Sequence, residues 1–103
     1  MDDRIARFTQ ALEKNPANQL ARFSLAKTLF DAGRFDEARE HFTVAVARQA
    51  DWMAAHILLG KCEESLGQFP AARTAFVRAL ELARAQNHDG PRAELEEWLA
   101  RLR

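Results

Sequence analysis

Apolar residues recur along this chain with the spacing of helices. Ile5, Phe8, Ala11 and Leu12 lie on one stripe. Pro16 in "NPAN" ends that run, and Asn18 is suited to cap the next. The second run sets Leu25, Ala26 and Leu29 beside Leu20, Phe23 and Phe30, and stops at Gly33. The third carries Phe35, Ala38, Phe42, Ala45 and Val46. After a short break, with Asp51 as the expected cap, the fourth carries Ile57, Leu58, Leu59, Cys62 and Leu66 and stops at Gly67. The fifth opens on Phe69-Pro70, where proline fits the first helical turn, and carries Ala72, Phe76, Ala79 and Leu80 to about Gln86. "NHDGP" is a turn, with Asp89 or Gly90 as the expected cap. A sixth run follows with Leu95, Trp98, Leu99 and Leu102. No stretch alternates with period two. The pattern predicts an all-α chain of about six helices joined by short turns.

The same text is written twice. "AGRFDEAREHF" begins at Ala32, and "LGQFPAARTAF" begins at Leu66, 34 residues later. Leu25 and Leu59, Ala26 and Gly60, Gly33 and Gly67, and Phe35 and Phe69 pair at that offset. So do Ala38 and Ala72, Phe42 and Phe76, Ala45 and Ala79, and Val46 and Leu80. Phe8, Ala11 and Leu12 continue the series backwards. Small residues let helix backbones approach, a phenylalanine fills the gap between neighbouring pairs, and glycine allows a tight turn. No single pair can bury its own face, so stacking is compulsory.

This pattern resembles the tetratricopeptide repeat, a 34-residue helix–turn–helix unit. The resemblance implies antiparallel helix pairs stacked as a right-handed superhelix over a single domain, 1–103. Residues 2–16 would form a leading half-repeat helix, 19–52 and 53–86 two full repeats, and 90–103 a capping helix. Some positions depart from the family pattern. Its early Trp is Arg22 and His56, its Tyr is Leu29 and Glu63, and its closing Pro is Ala50 and Arg84 in the two full repeats. For Glu63 two arrangements stay open. In one, preferred because an unpaired buried carboxylate is costly, the helix rolls so that Cys62 and Leu66 pack instead. In the other, Glu63 is partly buried and paired with Arg39 or Arg73.

Composition narrows the function. Fifteen basic residues balance fifteen acidic ones, so the basic excess that nucleic acid or an anionic membrane requires is missing. No window is apolar enough to span a bilayer, the start lacks the features of a secretory signal, and one cysteine cannot form an internal disulfide. The expected setting is cytoplasmic. His41, His56 and His88 have no metal-binding spacing, and Cys62 and His56 point to different sides of their helix. Glu37, Glu40, Glu94, Glu96 and Glu97 read as solvated faces, and Gly60 and Gly67 form no phosphate loop. No enzymatic activity, metal or cofactor is expected.

The resemblance implies instead a concave face, lined by the first helix of each pair, that binds peptides. Phe23, Lys27, Phe30 and Asp31 would come from one pair, and Ile57, Lys61 and Glu64 from the next. The spacing of 23, 27 and 30, and of 57, 61 and 64, agrees with shared helix faces. The carboxylate clamp of chaperone-binding members is not carried over, because Phe23 and Lys27 stand where it requires Lys and Asn. The expected role is an adaptor or assembly factor that holds a segment of another protein. The rival reading is a self-associating subunit that forms a homodimer through its repeat face or last helix.

Overall fold

The computed structural model describes residues 3–102 as six helices. They are α1 (Asp3–Lys14), α2 (Gln19–Asp31), α3 (Phe35–Arg48), α4 (Met53–Ser65), α5 (Phe69–Ala85) and α6 (Asp89–Arg101). No strand occurs among the described residues.

Local chemistry sets the boundaries. The Asn18 side chain accepts a hydrogen bond from the Ala21 amide at 3.0 Å and caps α2 as expected. Asp51 does not cap α4. Trp52 takes the N-cap position without a side-chain bond. Gly33 (φ 79°) and Gly67 (φ 75°) end their helices in the left-handed region that glycine enters without steric cost. At each the next amide reaches back five residues, Arg34 to Leu29 O at 2.9 Å and Gln68 to Glu63 O at 2.8 Å. The third such turn is built on Asn87 (φ 57°), with His88 N bonded to Ala83 O at 2.9 Å. Neither Asp89 nor Gly90 caps α6, because the chain reverses earlier and His88 is already the N-cap.

Each helix packs on its neighbours in sequence, and α2 also approaches α4. The odd helices α1, α3 and α5 make no such approach to one another. The stack is therefore curved, with even helices along the inner side and odd helices splayed along the outer. It measures 39 × 27 × 20 Å. Two core clusters run through it. Leu12, Leu25, Ala26, Leu29, Ala38 and Phe42 anchor the first, while Ala72, Phe76, Ala79, Leu80 and Leu95 anchor the second. Phe42 and Phe76 are the largest fully buried side chains, and each contributes roughly 1.5–3 kcal/mol of burial. The α4–α5 packing is the most extensive of any helix pair. Gly60 allows it, since a Cβ there would run into the Phe76 ring.

Candidate functional site

The inner face is assembled from α2, α4 and α6. On α2, Phe23 stacks on Trp52 at 4.7 Å and meets Phe42 edge-on at 5.7 Å. These contacts fix the ring while leaving it half-buried. One turn later Lys27 bridges to Asp31 at 3.2 Å, with both groups exposed. Phe23, Lys27 and Asp31 line a cup of about 220 Å³ together with Arg4 and Phe8 of α1 and with Ser24 and Thr28. Phe30 is not part of it. Its ring packs edge-on against Phe35 at 5.4 Å, inside the turn between α2 and α3.

The expected α4 residues meet the last helix. Ile57 packs in the second core cluster with Trp98, Leu99 and Leu102. The Lys61 ammonium lies 4.7 Å over the Trp98 ring, and Glu64 pairs with Arg101 at 3.3 Å. Trp98 also touches Phe76 at 5.5 Å, as a lid over α5 should. Its reach to Lys61 had no signal in the sequence, since it depends on how α6 is set against α4. The seven expected residues thus fall into three groups: an open cup, a turn contact, and a face engaged by α6.

A wider hollow lies on the outer side. Between α3 and α5, over α4 as its floor, runs a groove of about 590 Å³. Val46, Leu59, Ala71 and Ala75 form apolar walls, and Thr43, Thr74, His56, Glu63 and Arg78 supply polar atoms. The preferred arrangement for Glu63 is corrected here. Cys62 is fully buried, but Glu63 is not displaced by that. Its side chain is only 13% exposed and pairs with Arg39, not Arg73, at 3.2 Å. Arg39 also reaches Asp36 at 3.3 Å. Burial and the neighbouring Glu63 carboxylate push the Cys62 thiol up to about 12, so it is a packing group and not a nucleophile. His56 Nε2 bonds to the Ala50 carbonyl at 2.9 Å. Burial and the nearby Arg22 guanidinium hold the His41 imidazole below its ordinary range. The described residues contain no group of three or more His, Cys, Asp or Glu side chains that could hold a metal ion. No helix among them is long and apolar enough to cross a membrane.

The family model of the tetratricopeptide repeat matches residues 5–52 and 25–89, which together span the stacked helices α2 to α5. The chain belongs to the tetratricopeptide-repeat family. It is similar to the TPR repeat-containing protein PA0015 of Pseudomonas aeruginosa, with 36% identity over 85 residues. That match covers 82% of this chain and 79% of the relative. Among solved structures, protein BPP2914 of Bordetella parapertussis superposes with a TM-score of 0.83 at 29% identity, over 99% of this chain and 89% of that one. The first TPR of Spaghetti (RPAP3), bound to an HSP90 peptide, superposes with a TM-score of 0.77 at 22% identity, covering 93% and 77%. This tetratricopeptide-repeat chain is accordingly a protein-interaction module.

Proposed function

We propose that the chain binds an extended peptide segment of a partner protein on its inner face, as an adaptor or assembly factor in the cytoplasm. The observation that carries this reading is the cup between α1 and α2. It combines a ring held by Trp52 and Phe42 with charged groups of both signs, and α6 leaves it open. A preset aromatic surface offers apolar contact with little ordering cost, and the Lys27–Asp31 pair can exchange its partner for a peptide's charges. The structural relative with a peptide bound supports the class of ligand. Ile57, Lys61 and Glu64 would join the site only where α6 moves aside.

The test is a random peptide display library panned on the wild-type chain and counter-screened on two folded variants. Ser24→Trp blocks the cup, and Lys27→Glu reverses its charge. Enrichment of a common motif that both variants lose is the expected result. A motif retained by both would move the site away from α1–α2. No enrichment, with elution as a dimer at micromolar concentration, would favour the self-associating subunit.

A further inference from the structure

The two repeats are not equal on the outer side, and the difference is chemical. A groove also lies between α1 and α3, over α2, but it measures about 280 Å³. Thr9, Leu12 and Leu25 line it where Thr43, Val46 and Leu59 line the second. The remaining positions diverge. Glu37 and His41 fill the first groove at the places where Ala71 and Ala75 leave the second open. Leu29 lies on the first floor at the place of Glu63 in the second. The second groove is thus widened by small residues, and its carboxylate lies on the floor, Glu63, and not on the wall, as Glu37 does in the first.

The Thr43, Thr74 and Glu63 oxygens lining this space are acceptors, while Arg78 presents donors. Thr43 Oγ1 donates its proton to Arg39 O at 2.8 Å and Thr74 Oγ1 to Pro70 O at 3.1 Å, which leaves both oxygens as acceptors. His56 Nε2 donates to Ala50 O. Glu63 uses only Oε1 on Arg39, and Oε2 has no partner among the described residues. Arg39, beside the groove, is paired with both Asp36 and Glu63, and Arg78 gives one nitrogen to Glu81 at 3.1 Å. Within the lining itself the charged groups are one carboxylate, Glu63, and one guanidinium, Arg78.

We infer that the outer groove between α3 and α5 is a second docking site, and that its occupant is a lysine flanked by apolar residues in a partner segment. The aliphatic stem lies between Val46, Leu59, Ala71 and Ala75, and the ammonium meets Glu63 Oε2. Lysine fits better than arginine. A guanidinium fork is matched by two free carboxylate oxygens, and here one is taken. The site differs in face, charge and walls from the inner cup, so a partner can engage both or either.

The probe is the acetylated, amidated peptide Gly-Leu-Lys-Leu-Gly, followed by its effect on backbone amide resonances. The control peptide carries norleucine in place of lysine, which deletes the ammonium. Shifts centred on Val46, Leu59, Glu63, Ala71 and Ala75 are expected with the lysine peptide. Glu63→Gln should weaken its binding by roughly tenfold, the loss of one charge-assisted contact, and leave the norleucine peptide unaffected. Ala71→Leu fills the groove without touching the Arg39–Glu63 pair and should abolish binding of both peptides. It decides the matter if Glu63→Gln fails to fold. Equal affinity for the two peptides, shifts confined to the α1–α2 cup, or no shifts in the millimolar range would each overturn the assignment.

Discussion

Gly60→Ala isolates the close approach of α4 and α5. Glycine in a helix interior is normally a weakness, and alanine there adds roughly 0.5–1 kcal/mol of stability. At Gly60 the opposite sign is expected. The added methyl would collide with the Phe76 ring, which is itself fully buried and has no empty space to turn into. Overpacking of this kind costs about 1–3 kcal/mol. The collision outweighs the propensity, and a net loss of up to about 2.5 kcal/mol follows from those two ranges. For a chain of this size each kcal/mol lowers Tm by about 4–8 °C, which calorimetry resolves easily. Gly90→Ala is the control, because nothing lies near its Cβ position, and it should stay within about 0.5 kcal/mol of wild type or rise. Combining Gly60→Ala with Phe76→Leu should recover part of the loss, with a coupling of about 0.5–3 kcal/mol between the two sites. A Gly60→Ala protein more stable than wild type would show that the helices do not approach as described, and the register of the second repeat would fall with it.

The Cys62 thiol, pushed up to about 12 against an ordinary value of 9.0, should resist disulfide reagents at pH 8 until denaturant is added. Only the unfolded chain releases its proton above pH 9, so its share of stability is present below 9 and is lost between about 9 and 12. Cys62→Ala should flatten that slope in urea titrations. His41 has the reverse sign: its folded imidazole is held low by burial and Arg22, so the neutral ring favours the fold above the ordinary value of 6.5. That stability drains as pH falls through the depressed folded value, and His41→Gln should reduce the loss of Tm between neutral and mildly acid buffer. Asn18→Ala removes the one side-chain N-cap among the described residues and should cost about 0.5–2 kcal/mol in chemical denaturation. Trp98→Ala should strip amide protection from α6 and the end of α5 while leaving α1–α3 protected, since repeats couple to their neighbours. Uniform loss of protection would show one cooperative unit instead.

The stacking was legible because it is a periodic requirement. Phe42 and Phe76 are buried, and Gly33 and Gly67 adopt positive φ, because each repeat solves the same packing problem. The turn into α6 was misplaced because Asn87 does the work of a glycine, and a visible Gly-Pro pair drew the boundary downstream. The family resemblance and the helical spacing both set Phe30 on the inner face. Spacing fixes the face on which a residue stands, but the partner available at the turn, Phe35, decides where the ring goes. The engagement of Lys61 and Glu64 was invisible for a related reason. Their partners lie in α6, whose register breaks from the 34-residue period because α5 runs three residues beyond the end expected from α3.

Function is therefore to be sought where the period fails. Buried positions that keep the repeat are held by stacking and have little freedom to recognise anything. Four substitutions across the offset change what the surface offers. Glu64 in place of Phe30 turns a turn-packing ring into a tie to α6, and exposes Phe69, the counterpart of Phe35, to 52%. Ala71 and Ala75 in place of Glu37 and His41 widen the outer groove, and Glu63 in place of Leu29 sets a carboxylate on its floor. None of the three groove changes is required by the stack, since the first repeat folds with the alternatives. A stabilising role for Glu63 is also weak: its pair with Arg39 must offset the cost of burying a carboxylate that leucine would not incur. An acid placed at that cost, in the wider of the two outer grooves, is better explained by what it binds than by what it holds together.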